Sequence, residues 1–192
     1  MSTTTEQKGF VLWFTGLSGA GKTTIADVVE ARLKDRGSKI EVLDGDVVRT
    51  HLSKGLGFSR EDRDTNIARI AFVANLLARN EVPVITAAIS PYRETRDAAR
   101  DLIGDGKFIE IHIATPLEEC EKRDVKGLYA KARAGEIKEF TGISDPYEEP
   151  LDPEIKIDTT DHEPHDSADI ILEYLEVNGF LAPAGELEGA LA

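Results

Sequence analysis

The chain has 192 residues, of which 41% are hydrophobic, and it carries a formal net charge of −13. This length and apolar content suffice for the core of one domain, and the acidic balance argues against a general affinity for nucleic acid or for an anionic membrane. The single cysteine, Cys120, excludes an internal disulfide and any metal site built from several cysteines.

Apolar runs alternate with amphipathic segments along the chain, which is typical of a parallel sheet with helices on both faces. The apolar runs predict strands at residues 11–14, 40–43, 83–89, 108–113 and 155–157. The amphipathic segments predict helices at residues 22–36, 46–52, 60–79, 92–102, 117–122 and 166–177. We therefore expect an α/β fold with a mostly parallel five-stranded sheet in the middle of three layers.

The first predicted strand runs directly into the stretch GLSGAGKTT at residues 16–24. This stretch matches the phosphate-binding pattern G-x-x-x-x-G-K-[ST], between the strand and the helix that the motif requires. Glycines let the backbone N–H groups turn inward onto a polyphosphate, and the helix start adds positive charge. The pattern predicts the P-loop NTPase fold, with Lys22 on the β- and γ-phosphates and the Thr23 hydroxyl available for Mg²⁺. The predicted ATP site consists of Gly16, Leu17, Ser18, Gly19, Ala20, Gly21, Lys22, Thr23 and Thr24.

Polar residues follow the second predicted strand in the stretches LDGDVVR and GLGFSREDRDTNIARI. Open α/β sheets bind ligands beyond the carboxyl ends of their strands, so the acceptor site is expected here. A carboxylate can orient a hydroxyl and accept its proton, arginines can pair with a charged acceptor, and Phe58 can stack on a base. Taken singly, Asp44 could instead cap a turn, and Arg63 and Arg69 could lie on a solvated helix face.

Residues 124–150 interrupt the alternation with a glycine-containing segment that is basic in its first part and lacks strong core periodicity. A segment of this length predicts a functional loop, and we expect a mobile lid; a solvated surface excursion is the alternative. Residues 1–181 are expected to form one domain, with residues 182–192 as a flexible tail. The polar start of the sequence has no signal-peptide core, and no apolar stretch is long enough to span a bilayer, so we expect a cytoplasmic protein.

Several classes of P-loop protein do not fit the sequence. It lacks the Asn-Lys-x-Asp motif of GTP switches, and motors and transporters are generally larger, which favours a small kinase. The third predicted strand ends in VITAAIS without an acidic residue. We therefore expect Mg²⁺ to rest on Thr23, the phosphates and waters, with Asp44 or Asp46 nearby. The four histidines have no metal-ligand spacing, and surface or turn positions are expected for them.

The motifs GLSGAGKTT, LDGD, GLGFSREDR, ISPYR and RDVKGLYAKARAGEIKEFTGI together resemble the adenylylsulfate kinase family, from residue 10 to about residue 153. The resemblance implies an ATP-dependent kinase that phosphorylates the ribose 3′-hydroxyl of adenosine 5′-phosphosulfate, with Mg²⁺. It also implies a homodimer and allows association with a separate sulfurylase. Ala68 and Ala130 stand where relatives often carry basic residues, which bears on affinity rather than on the reaction class.

By matching position, the resemblance assigns a role to each candidate residue. Asp46 corresponds to the residue that orients the 3′-hydroxyl and acts as its base. The acceptor is implied to contact Arg49, Phe58, Arg63, Asn66, Ile89, Ser90, Lys126 and Phe140, with the two phenylalanines sandwiching its adenine, while Arg123 packs against the adenine of ATP. Residues 159–164 are expected to complete the ATP base pocket. The family's serine also marks Ser90 as a phosphoserine position; because in-line transfer needs no covalent intermediate, a hydrogen-bonding Ser90 is the favoured alternative.

Two other functions remain open from the residues. One is a different small-molecule P-loop kinase, acting on a nucleoside monophosphate or a sugar acid, which should lack the Phe58/Phe140 pair. The other is a non-catalytic nucleotide-binding module. The joint presence of Lys22, Thr23 and Asp46 argues against the module, because chemistry is what requires them together.

Overall fold

A computed structural model describes residues 8–183, apart from the side chain of Asp46. Its centre is a five-stranded sheet in the order β2-β3-β1-β4-β5, in which every neighbouring pair is parallel. The strands are β1 Val11–Thr15, β2 Glu41–Asp44, β3 Val84–Ala87, β4 Phe108–Ile113 and β5 Ile155–Ile157.

Seven helices connect or follow these strands in the part of the chain that the structure describes. They are α1 Lys22–Asp35, α2 Gly45–His51, α3 Arg60–Ala78, α4 Arg93–Ile103, α5 Leu117–Arg123, α6 Leu128–Arg133 and α7 Pro164–Val177. Local signals set several ends: the Ser59 hydroxyl accepts from the backbone N–H of Asp62 at 3.2 Å and caps α3. Gly104 ends α4 with a φ of 95°, and Pro164 opens α7.

The sheet separates two hydrophobic cores, because successive side chains of a strand point to opposite faces. In β1, Leu12 and Phe14 join α1 and α7 in one core, whereas Val11 and Trp13 join α3 and α4 in the other. All five β1 side chains are fully buried, as expected for a central parallel strand. The carboxyl edge of the sheet is thereby fixed between two packed helical layers.

The predicted fold class is confirmed, and all five strands and six helices lie close to their predicted positions. The third strand is shorter than predicted, ending at Ala87. One helix, α6, was not predicted and lies inside the proposed lid segment. The expectation for the histidines is wrong at His112, which is buried within β4. The predicted tail lies outside the described residues from residue 184 onward.

Among the described residues, we find no helix with both the length and the apolar character that a membrane span needs. Cys120 is buried in α5 with a free thiol.

Candidate active site

The phosphate-binding loop has the backbone that its glycines predict. Gly16 has a φ of 145°, and an ideal Cβ there would lie only 2.4 Å from the carbonyl oxygen of Ile113, so no side chain fits. Gly19 and Gly21 have φ values of 74° and 105°, in the region that favours glycine. Gly21 directly precedes α1, so the loop ends at the positive end of the helix dipole, where phosphates bind.

Lys22 is buried at the start of α1. Its Nζ donates to the carbonyl oxygens of Gly16 at 2.9 Å and Leu17 at 2.7 Å, so the ammonium group lies across the loop. Burial lowers the pKa of Lys22 to about 8, opposed by the Cys120 thiol and reinforced by the positive charge of Lys126. A cation held at this place matches the charge of a bound polyphosphate.

The next residue, Thr23, joins the loop to the second strand. Its hydroxyl donates to the Asp44 carboxylate at 3.0 Å, and Asp44 is the last residue of β2. Hydroxyl and carboxylate oxygens are the ligands that Mg²⁺ prefers, so this pair fits the predicted magnesium position. Over residues 8–183 no group of three or more histidine, cysteine or acidic side chains is arranged to hold a metal by itself.

The acceptor-side residues begin in α2, directly after β2. Asp46 belongs to this helix, but its side chain lies outside the described part of the structure. The guanidinium of Arg49 lies 4.4 Å from the centroid of the Phe58 ring, a cation–π contact. Phe58 is 57% exposed, so most of its ring is accessible to a partner.

The first turns of α3 connect the sheet to residues 124–150. Arg63 is buried, and its Nη1 donates to the Thr141 hydroxyl at 2.7 Å and pairs with the Asp145 carboxylate at 3.2 Å. Its other terminal nitrogen donates to the carbonyl oxygen of Glu139. One turn later, the buried Asn66 accepts a hydrogen bond from the hydroxyl of Ser53. Arg63 therefore links α3 to the proposed lid.

Ile89 and Ser90 follow β3. The Ile89 carbonyl accepts from the Thr15 hydroxyl at 2.7 Å and from the backbone N–H of Gly16 at 3.4 Å, so this turn is tied to the phosphate loop. Ser90 has a φ of 47°, which is strained for a non-glycine residue. Its hydroxyl is buried and has no hydrogen-bond partner within the described part of the chain.

On the other side of the loop, Arg123 meets the turn after β5. Its Nη1 and Nη2 donate to the hydroxyl and carbonyl oxygens of Thr159, both at 2.8 Å. The Thr159 and Thr115 hydroxyls in turn donate to the Ala20 carbonyl at 2.9 and 3.0 Å. Arg123 and the 159–164 turn are therefore held against the phosphate loop.

The helix α6 packs on the same loop. The Tyr129 hydroxyl donates to the Ser18 carbonyl at 2.8 Å, and its ring meets Phe140 edge-on at 5.1 Å between centroids. The Asp124 carboxylate accepts from the first N–H groups of α6, those of Tyr129 and Ala130, both at 3.0 Å, and these bonds lower its pKa. Lys126, in the turn between α5 and α6, is exposed.

The structure gathers most of the expected residues at the carboxyl edge of the sheet. The rings of Phe58 and Phe140 pack against different partners, Arg49 and Tyr129, rather than as one stacked pair. Tyr129 and Thr115 were not among the site residues expected from the sequence. The signal for Tyr129 was an aromatic residue within the basic start of the lid, and Thr115 follows the buried strand β4 directly.

Comparison with known proteins places this geometry in a family. A sequence model of adenylylsulphate kinase matches residues 8–158. The adenylyl-sulfate kinase of Picosynechococcus sp. is 58% identical over 93% of this chain and 99% of its own length. That of Rippkaea orientalis is 59% identical over 92% of this chain and 97% of its own.

A solved structure supports the same family assignment. An APS kinase from Mycobacterium tuberculosis, in complex with AMPPNP and APS, superposes with a TM-score of 0.85 at 45% identity, covering 88% of this chain and 99% of that one. The family match over residues 8–158 includes the phosphate loop, helices α2 and α3 and the proposed lid. The chain belongs to the adenylylsulphate kinase family.

Proposed function

We propose that this protein transfers the γ-phosphoryl group of ATP to the ribose 3′-hydroxyl of adenosine 5′-phosphosulfate. The products are ADP and 3′-phosphoadenosine 5′-phosphosulfate. The observation that carries the proposal is the extent of the family match, because residues 8–158 include the acceptor side and the lid as well as the phosphate loop. A match confined to the phosphate loop would not identify the acceptor substrate.

On the ATP side, the backbone N–H groups of residues 16–24 bind the phosphates, with Lys22 on the β- and γ-groups. Arg123 packs against the adenine of ATP, and its two bonds to Thr159 fix the plane of its guanidinium. The Thr23 hydroxyl, near Asp44, would hold Mg²⁺, which would neutralise charge on the phosphates. The buried position of Lys22 strengthens its attraction for them, since a low dielectric screens little.

On the acceptor side, Asp46 orients the 3′-hydroxyl and accepts its proton. The 3′-oxygen forms a bond to the γ-phosphorus while the bond from that phosphorus to the β–γ bridging oxygen breaks, and the leaving electron pair stays on ADP. Arg49, Arg63 and Asn66 bind the phosphosulfate and ribose. The adenine lies between Phe58 and Phe140, beside Ile89, Ser90 and Lys126.

Ser90 acts without covalent chemistry in this proposal. Its hydroxyl is buried and its backbone is held in a strained conformation, which suits a fixed wall better than a nucleophile that must reach a phosphate. Residues 124–150 act as the lid, which excludes water as a competing acceptor. A homodimer, association with a sulfurylase and a cytoplasmic location are further proposals that rest on resemblance and composition.

The test is ADP release from Mg-ATP with four acceptors in parallel: adenosine 5′-phosphosulfate, AMP, adenosine and gluconate. We expect turnover with the phosphosulfate alone, and its loss in Lys22→Ala. Lys34→Ala is the matched control, because Lys34 lies on the same helix, exposed and paired with Glu30. Turnover with a rival acceptor would retain a P-loop kinase but reject this substrate, and ATP binding without any turnover would favour the nucleotide-binding module.

A further inference from the structure

Arg96 is a buried charge that no part of the proposed mechanism uses. It lies in α4, is 2% exposed, and is among the largest fully buried side chains of the described chain. Each nitrogen of its guanidinium has an acceptor: Nε donates to Glu110 at 2.8 Å, Nη1 to the Ser90 carbonyl at 2.7 Å and Nη2 to the Glu148 carbonyl at 2.6 Å. One side chain thus joins β4, the turn after β3 and the end of the lid segment.

The contact with Ser90 supports a strained conformation. A non-glycine residue at a φ of 47° is strained and persists only where its surroundings hold it. The Ser90 carbonyl accepts from Arg96 and also, at 3.3 Å, from the Thr15 hydroxyl. These two donors fix the direction of the peptide that follows Ser90 and, with it, the wall of the proposed acceptor site.

The contact with Glu148 holds the strap, which we define as residues 145–148. The Glu148 backbone N–H donates to the Pro91 carbonyl at 2.8 Å, and the Tyr147 ring lies 5.8 Å from the Arg96 guanidinium. The Tyr147 hydroxyl is 2.9 Å from that of Thr15. At the other end of the strap, Asp145 pairs with Arg63. A shift of the strap would therefore move Arg63, which is a proposed acceptor ligand.

Only arginine satisfies this arrangement. Its planar fork presents donors in several fixed directions, whereas lysine carries the same charge on a single nitrogen. A lysine at this position could keep the ion pair with Glu110 but could not also span the Ser90 and Glu148 carbonyls. The positive charge of Arg96 neutralises the buried Glu110 carboxylate, and its planar guanidinium fixes the positions of the Ser90 and Glu148 carbonyls.

We propose that Arg96 is a positioning residue for the acceptor half of the site, holding Ser90 and the strap in register without touching either substrate. The inference rests on the proposed function for the identity of the acceptor. It assigns Arg96 an effect on acceptor binding and alignment that ATP binding does not share, because its carbonyl partners lie in the β3 turn and the strap, outside the phosphate loop.

The test compares Arg96→Lys with Arg100→Lys. Arg100 lies one turn further along α4 and also contacts Glu110, at 3.5 Å, but its main partner is Glu154, at 2.6 and 2.8 Å. We expect Arg96→Lys to raise the KM for adenosine 5′-phosphosulfate at least tenfold and to lower kcat, with the Kd of a non-hydrolysable ATP analogue changed less than about twofold. Arg100→Lys should lower Tm while leaving the acceptor KM within about twofold.

A charge-balanced pair covers the case in which Arg96→Lys does not fold. Glu110→Gln keeps Arg96 and its carbonyl contacts, whereas Arg96→Gln with Glu110→Gln removes both charges of the pair together, so that neither is left buried without the other. The double variant should show the acceptor effect and the single variant should not. An unchanged acceptor KM in the Arg96 variants, equal weakening of both substrates, or an equal effect of Arg100→Lys would each overturn the inference.

The acceptor Kd of the wild type and of the same variants is also measured, by calorimetric titration with adenosine 5′-phosphosulfate in the presence of ADP. Wild-type protein that binds adenosine 5′-phosphosulfate without turning it over would reject the proposed function and still test Arg96 through the acceptor Kd. Wild-type protein that does not bind this acceptor would overturn both.

Discussion

At the scale of single residues, the proposed chemistry depends on one cation and one carboxylate at the same sheet edge. Lys22 has a defined place, buried and bonded to two loop carbonyls. Asp46 follows β2 by two residues, in the first turn of α2. In the proposed chemistry, Lys22 serves any phosphoryl transfer from ATP, whereas Asp46 serves the acceptor hydroxyl.

This division predicts the behaviour of Asp46→Asn. The amide keeps the size of the side chain but cannot take a proton, so kcat should fall by about a hundredfold or more, the scale of a lost general base. ATP affinity should stay within a few-fold, as measured by titration with a non-hydrolysable analogue. Asp97→Asn, at an exposed position of α4, is the control. Near-normal turnover of the Asp46 variant would remove the residue from its role.

At the scale of elements, residues 124–150 are docked rather than loose. The Asp124 carboxylate accepts from the start of α6, and the Tyr129 hydroxyl of that helix donates to the phosphate loop. Arg63 donates to the turn at residues 139–145. The lid segment thus contacts both proposed halves of the site.

The Tyr129 contact gives an element-scale prediction. Tyr129→Phe retains the ring packing on Phe140 but removes the bond to the Ser18 carbonyl, a loss of about 0.5–1.5 kcal/mol. The KM for ATP should rise roughly twofold to tenfold, the factor equivalent to that energy. Tyr174→Phe, in α7, controls for the loss of a tyrosine hydroxyl from a partly buried ring. An ATP KM unchanged by Tyr129→Phe would mean that α6 does not support the loop.

At the scale of the whole molecule, the sheet holds a titratable group in its interior. His112 is buried in β4, and its ring lies 5.8 Å from that of Tyr147. Burial lowers the pKa of His112 to about 4; the Glu149 carboxylate opposes the shift, and Lys156 and Arg96 add to it. The folded protein therefore keeps this imidazole neutral over a pH range in which an unfolded chain would charge it.

The pH dependence of stability follows from that difference. Between the ordinary histidine pKa near 6.5 and about 4, the unfolded state binds the extra proton, so the free energy of unfolding falls as the pH falls. The full difference corresponds to about 3 kcal/mol. Urea midpoints between pH 7 and pH 4.5 should show a smaller loss in His112→Gln than in the wild type. The exposed His51→Gln should follow the wild type; an unchanged slope in His112→Gln would contradict the burial argument.

The sequence by itself determined the parts of this protein that depend on neighbours along the chain. The strand–loop–helix around Lys22 could be predicted because spacing and glycine content act locally, and β4 and α3 because their apolar periodicity does. Family motifs then indicated the acceptor-side residues. The short helix α6 escaped prediction, since six residues that are stabilised by a cap from Asp124 and a bond to Ser18 carry little periodicity of their own.

The tertiary structure decided the order of the strands and the partners of the buried polar groups. Arg63 meets Thr141, 78 residues away, and the Arg96 fork closes on Glu148, 52 residues away. His112 alternates with apolar neighbours in a strand and still lies inside. A buried charge or imidazole takes whichever partners the folded layers bring to it, and those layers form only when residues far apart in the chain are packed together.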